Sequence, residues 1–97
     1  MAVIGVVTFR LAPGTSDDQF LVADRRVQTE FAYHRPGIVR RTTARGADGT
    51  WIVVTLWESS ADMQGAAVAA GKDPVVGAFT EMLDPSSVVT TSYDTID

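Results

Sequence analysis

Four side chains could carry acid–base or oxyanion chemistry in this sequence of 97 residues: His34, Arg40, Arg41 and Tyr93. His34 is the only histidine, and an imidazole, which titrates near neutral pH, can accept the proton of a phenol. An inward arginine or a tyrosine can then donate hydrogen bonds to the phenolate or enolate oxygen. We therefore take His34, Arg40 and Tyr93 as candidate catalytic residues.

Each candidate also has a structural interpretation. His34 continues the helical spacing of a predicted buried stripe, and it could instead interact with the last carbonyl groups of that helix. Tyr93 could be satisfied by the backbone. Adjacent strand residues point to opposite faces, so either Arg40 or Arg41 must point inward. A buried arginine needs a carboxylate partner, for which Glu58 and Asp94 are the candidates. The stripe is formed by Phe20, Ala23, Val27 and Phe31.

Several classes of function are disfavoured by what the sequence lacks. It has no cysteine, one histidine and scattered acids, so we predict no metal site and no cofactor. The net charge of −4 argues against a nucleic-acid or anionic-membrane partner. No apolar run reaches the ~18–20 residues of a membrane span, and the first residues do not have the pattern of a signal peptide. We expect a cytoplasmic protein.

The elements that must position these residues follow from turn and capping signals. Ser16 and Gln19 have the spacing of a capping box, the proline of "RPG" at 35–37 ends the first helix, and "GADG" at 46–49 predicts a hairpin turn. The predicted strands are Val3 to Leu11, Ile38 to Arg45, Thr50 to Glu58 and Val88 to Ile96. The first predicted helix runs from Ser16 to about Tyr33. The second is capped by "SSAD" at 59–62 and reaches about Ala70, and the third covers Val75 to Leu83.

This order, βαββαβ, predicts an α+β, ferredoxin-like fold of one domain spanning residues 1–97. A four-stranded antiparallel sheet would carry the helices on one face. The third strand is apolar on both faces, and strands of this kind are covered on both sides. We predict that its aliphatic face, Ile52, Val54 and Leu56, lies beneath the helices. The other face would be covered by a second copy of the chain in a homodimer; its residues are Trp51, Val53, Thr55 and Trp57.

The two tryptophans then have different expected roles. Trp51 and Val53 are predicted to lie in the dimer interface, where large aromatic rings concentrate binding energy. Trp57, at the end of the strand, where pockets open, is the better candidate for a pocket wall. The alternative is that both rings serve only in packing.

The order of elements, together with "PG" at Pro36 and Gly37, "WES" at Trp57 to Ser59 and the late tyrosine Tyr93, resembles the antibiotic biosynthesis monooxygenase-like family of dimeric α+β barrels. The resemblance implies a homodimer with a small pocket between the helices and the sheet of each subunit. It implies, for the catalytic members, oxidation of a small hydroquinone-like aromatic or polyketide-like substrate without a cofactor.

The haem-degrading branch of that family is disfavoured. Members of that branch resemble one another in three residues: an asparagine on the first strand, a tryptophan at the end of the third strand and a histidine on the following helical region. In this sequence Thr8 lies near the position of the asparagine and Trp57 could match the tryptophan, but residues 60–84 contain no histidine. For a cofactor-free monooxygenase we predict that the substrate contacts Trp57, Thr8, Phe31 and Arg41. The alternative function is a non-catalytic dimeric module that binds a small hydrophobic or aromatic ligand or acts in stress or regulation.

Overall fold

The computed structural model describes residues 1–97 and contains one four-stranded antiparallel sheet in the order β2-β3-β1-β4. Its strands are β1 (Val3–Phe9), β2 (Ile38–Arg45), β3 (Trp51–Trp57) and β4 (Val89–Asp94). Its helices are α1 (Asp17–Glu30), α2 (Ser60–Ala70) and α3 (Pro74–Glu81), with short 3-10 helices at Ala32–His34 and Pro85–Ser87. This confirms the predicted ferredoxin-like α+β fold and the order of its elements.

The capping signals of the helices are present. Ser16 and Gln19 form a complete capping box at the start of α1, which satisfies two N–H groups that the helix itself leaves free. Ser59 caps α2, and Asp73 caps α3 ahead of Pro74. Gly37, in the loop before β2, has a φ of 80°, a left-handed conformation that favours glycine. These local signals explain why the element order could be predicted.

The first helix ends earlier than the sequence predicted. It stops at Glu30, Phe31 has φ −126° and ψ −66°, and Ala32–His34 continues as a 3-10 helix. Because the backbone of Phe31 is not helical, the regular spacing of α1 is interrupted there, and the buried stripe ends at Phe31. An inward His34 was expected only if the first helix reached it; the helix does not, and His34 is exposed.

The sheet carries its helices on the face opposite to the predicted one. Trp51, Val53 and Trp57 are each at most 7% exposed in the single chain, and the rings of Trp51 and Phe20 of α1 have centroids 4.7 Å apart. The prediction that Trp51 and Val53 form a dimer interface is wrong, because the chain's own helices already cover them. Both belong to one core cluster, whose members are Phe9, Phe20, Trp51, Val53 and Leu83.

An apolar face without a helical cover does exist on the other side of the sheet. In register, β1 residues Ile4 and Val6 lie beside Leu56 and Val54 of β3, and all are only partly buried. We call this surface the open face. Its residues on the two central strands are Ile4, Val6, Thr8, Ile52, Val54 and Leu56.

The two edges of the sheet differ. The Tyr33 hydroxyl accepts a hydrogen bond from the Arg41 N–H at 3.0 Å and donates one to the Arg41 carbonyl at 3.3 Å. It thereby occupies backbone groups that an edge strand leaves unpaired. At the opposite edge, every residue of β4 is exposed. No helix of the chain has the length and apolar character needed to cross a membrane.

Candidate functional site

Two adjacent cavities lie between the helices and the sheet, with volumes of about 330 Å³ and 290 Å³. The cavities lie side by side, because four residues border both of them: Val7, Phe31, Thr55 and Trp57. The first cavity extends beneath α2 to β4, and the second extends beneath α3. Both walls are mainly apolar, as is usual for sites that bind small organic molecules.

Trp57 is the side chain that borders both cavities from the end of β3. Trp57 is 5% exposed, and its indole Nε1–H donates a hydrogen bond to Thr55 Oγ1 at 2.9 Å. The Thr55 hydroxyl in turn lies 3.4 Å from the Gly5 carbonyl oxygen, which it can donate to. Because the indole N–H is satisfied by the neighbouring strand residue, the orientation of the ring is fixed before any ligand arrives.

Gly5 forms part of the wall of the first cavity. The position has no room for a side chain. A Cβ atom there would lie 2.7 Å from Thr55 Oγ1 and 3.4 Å from Met63 Sδ. The missing side chain thus leaves room for the Thr55 hydroxyl and for the Met63 thioether of α2. Gly5, Thr55 and Met63 are site residues that the sequence analysis missed; the glycine inside an apolar strand was the available signal.

Replacing Gly5 with alanine is expected to lower both stability and ligand affinity. The new methyl group must displace the Thr55 hydroxyl and with it the partner of the Trp57 indole, and overpacking of this kind costs about 1–3 kcal/mol. Urea unfolding measures the first effect, and quenching of tryptophan fluorescence by a bound naphthalene measures the second. Gly65, on α2, has open space where its Cβ would lie, so Gly65→Ala is the matched control that should show neither loss.

Arg41 is the only charged residue in the wall of either cavity, and it borders the second. It is 6% exposed and forms an ion pair with Asp24 of α1 at 2.7 Å. Its Nη1 also donates to Gln28 at 3.2 Å, and its guanidinium lies 5.7 Å from the centroid of the Phe79 ring. Inward placement of one arginine was predicted, and the structure identifies it as Arg41.

The predicted partners of this arginine are wrong. Glu58 and Asp94 were the candidates, whereas the carboxylate that pairs with Arg41 is Asp24. Asp24 is itself 9% exposed. Asp24 and Gln28 follow Phe20 at intervals of four, which places them beside the buried stripe of α1. That spacing was the signal from which the pair could have been found.

The predicted site residues on the strands lie on one or the other face of the sheet. Of the predicted substrate contacts, Trp57, Phe31 and Arg41 border the cavities. Thr8 and Tyr93 lie on the open face beside Ile52 and Ile4.

Arg40 also lies on the open face, where it pairs in register with Leu56 and its Nε donates to Thr42 at 3.1 Å. His34 borders neither cavity. The structure therefore does not bring the three predicted catalytic residues, His34, Arg40 and Tyr93, to the cavities. No group of three or more His, Asp or Glu side chains is placed to hold a metal ion.

A ferredoxin-like sheet with apolar cavities beneath its helices defines the structural class of this chain. Within it, the chain is similar to SnoaB, a cofactor-independent oxygenase from Streptomyces nogalater, with a TM-score of 0.82 and 18% identity over 99% of this chain and 94% of SnoaB. It is also similar to a conserved protein from Methanosarcina mazei Go1, with a TM-score of 0.79 and 12% identity over 96% of this chain and 91% of the other.

A third similar structure is a candidate antibiotic biosynthesis monooxygenase from Chloroflexus aurantiacus J-10-fl, with a TM-score of 0.76 and 9% identity over 100% of this chain and 95% of the other. No protein-family model and no curated protein matches the sequence. At these identities the similarity shows the fold. The resemblance predicted from the sequence is confirmed at that level.

Proposed function

We propose that this protein is a cofactor-independent monooxygenase that oxidises a small hydroquinone- or anthrone-type aromatic molecule in the paired cavities. The observation that carries the proposal is the Trp57 wall: a buried, pre-oriented indole that borders two apolar cavities, with the Thr55 hydroxyl beside it. The similarity in fold to a cofactor-independent oxygenase, SnoaB, supports the same chemistry. Flat apolar walls of this kind suit an aromatic ring system.

The reaction needs no external reductant. For an anthrone, oxidation of the ring CH₂ group to a carbonyl releases four electrons, and O₂ takes up all four. One oxygen atom becomes the carbonyl oxygen and the other leaves as water, which also carries the two hydrogens of the CH₂ group. Substrate and O₂ therefore balance the equation, and the protein must bind them together, exclude bulk water and stabilise the carbanion or enolate that reacts with O₂.

The cavities contain no carboxylate or imidazole that could serve as a strong general base. The substrate must therefore ionise readily itself, as anthrones and hydroquinones do. The Thr55 hydroxyl has one proton, and by leaving its long 3.4 Å contact with the Gly5 carbonyl it can donate that proton to the oxygen on which negative charge develops. A donor placed in this way lowers the barrier most when water is excluded. Thr55 is accordingly the proposed oxyanion donor, and Trp57 fixes the ring of the substrate.

Thr55→Val is expected to lower the rate of oxygen uptake with an anthrone by about 10- to 100-fold, the usual effect of losing one hydrogen bond to a charged oxygen. Trp57→Phe removes the indole N–H but keeps the threonine hydroxyl. Because Trp57 also contacts the substrate, the two roles of Thr55 are separated by the double variant. In the Trp57→Phe background, Thr55→Val should cause no further loss if Thr55 only holds Trp57, and the same fold-loss as in the wild type if Thr55 contacts the substrate.

The oxygen-uptake experiment has a clear negative result. Uptake no faster than in buffer across a panel of anthrones and hydroquinones would overturn the monooxygenase proposal. Binding of the same compounds without uptake would instead support the alternative, a small-ligand-binding module. The observation that favours this alternative is the absence of a titratable side chain from the wall of the first cavity.

We also propose that the protein is a homodimer in which two open faces pack against each other. The central strands present aliphatic side chains on this face, and no helix of the chain covers them. A contiguous apolar surface of this kind marks an interaction site in small domains, and a two-fold pairing of identical sheets buries it without a second type of partner. The interface replaces the one predicted around Trp51 and Val53.

A further inference from the structure

Two of the five N–H donors of the buried Arg41 guanidinium are unused, the Nε–H and one of the two on Nη2. Arg41 Nη2 donates to Asp24 Oδ1, and Nη1 donates to Gln28 Oε1 and Thr43 Oγ1 at 3.2 and 3.4 Å. The Nε–H makes no hydrogen bond within the chain. In a residue that is only 6% exposed, a free donor is unusual, because buried polar groups are nearly always paired.

The Nε–H of Arg41 also keeps some accessible surface. The only completely buried polar side-chain atom without a partner is Arg35 Nε. Arg41 Nε likewise has no partner, so it must retain accessible surface. The open space that Arg41 borders is the second cavity. An Nε–H that faces this cavity can donate to the polar atom of a ligand there.

The charge of Arg41 is already balanced. Asp24 lies 2.7 Å away with its side chain 12% exposed, and Thr43 donates to the same carboxylate oxygen at 2.9 Å. A second carboxylate beside this pair would leave one negative charge uncompensated in an apolar wall, which is costly. A neutral oxygen would accept the Nε–H hydrogen bond without that cost.

We propose that Arg41 Nε–H is the polar end of the ligand site, and that Asp24 makes it selective for a neutral carbonyl or hydroxyl oxygen over a carboxylate. The proposal rests on the proposed function in that both place an aromatic ligand in these cavities. It names the chemical class of that ligand more closely: an aromatic ketone or phenol without an acidic substituent.

The test uses three naphthalenes of similar shape in the absence of oxygen, so that binding is measured apart from turnover. 2-Acetylnaphthalene is expected to bind about tenfold tighter than 2-ethylnaphthalene, which lacks the acceptor, and about tenfold tighter than 2-naphthoate. In NMR spectra of the wild-type protein, the Arg41 Nε–H resonance should shift with the ketone and stay in place with 2-ethylnaphthalene. This arm requires no variant.

A second arm changes Asp24 to Asn, which keeps an acceptor for Arg41 Nη2 and removes the negative charge. The preference should then reverse, with 2-naphthoate gaining about tenfold relative to the ketone. Asp18→Asn removes the same charge from an exposed position of α1 and should leave the preference unchanged. Equal affinities of the three ligands, with an unmoved Nε–H resonance in the wild type, would overturn the proposal whether or not Asp24→Asn folds. If the ketone preference and the resonance shift are present but oxygen uptake is not, only the monooxygenase proposal fails.

Discussion

Replacing Phe20 with alanine is expected to lower the free energy of unfolding by about 3–5 kcal/mol. The Phe20 side chain of α1 is completely buried, and its ring centroid lies 4.7 Å from that of Trp51, 5.6 Å from that of Phe9 and 5.3 Å from that of Phe79. It thus joins α1 to the two central strands and to α3. Chemical unfolding in urea, at one fixed protein concentration, measures the loss.

The expected loss is large because the space left by Phe20 cannot close. Its neighbours are aromatic rings held by separate elements, so they relax only partly toward the hole, and the residual cavity adds to the lost burial. A domain typically has only about 5–15 kcal/mol of total stability. Val22, on the same helix and 66% exposed, is the matched control: Val22→Ala should change stability by at most about 0.5 kcal/mol. A loss below about 1 kcal/mol for Phe20→Ala would contradict the packing described here.

The order of the elements could be predicted because it is written in local signals. The capping box at Ser16 and Gln19, the proline after the first helix and the turn at 46–49 each act within a few residues. Their effect on the backbone does not depend on the rest of the fold. The four strands and the helices between them therefore follow from the sequence, with errors of a few residues at their ends.

The identity of the covered face could not be predicted in the same way. Alternation places Trp51, Val53 and Trp57 on one side of β3 and Ile52, Val54 and Leu56 on the other, and both sets are apolar. Which set meets the helices depends on how the loops lead the chain over the sheet, which is a tertiary property. The structure places the larger aromatic side chains beneath the helices, where Trp51 packs against Phe20 of α1.

The site was predicted only in part for a related reason. Trp57, Phe31 and Arg41 were found because apolar or inward positions in long elements are well specified. His34 was placed wrongly because it lies beyond a helix end, where the non-helical backbone of Phe31 interrupts the spacing from which its position was predicted. Asp24 was missed because a charged residue beside a helical stripe is usually solvated, and only its pairing with Arg41 shows otherwise.

The second large effect is expected for a substitution in the open face, and it concerns the dissociation constant of the proposed dimer. Val54 lies at its centre, paired in register with Val6 of β1 and Thr42 of β2. Val54→Asp is expected to raise the dissociation constant of the proposed dimer by about 1,000-fold or more. The two-fold symmetry introduces the carboxylate twice, and each copy would be buried without a partner, at a cost of several kcal/mol. Sedimentation velocity over a range of micromolar concentrations measures the change.

The same substitution should leave the rest of the molecule intact, because Val54 is already partly exposed in the single chain and faces away from the cavities. Val54→Asp should therefore still bind 2-acetylnaphthalene. Val22→Asp adds the same charge on the outer side of α1, where Val22 is 66% exposed, and should still dimerise. A wild-type protein that sediments as a monomer, or a Val54→Asp protein that remains a dimer, would show that the open face is not the interface. In either case the apolar surface of the central strands would require a different cover, since the chain's own helices all lie on the opposite side of the sheet.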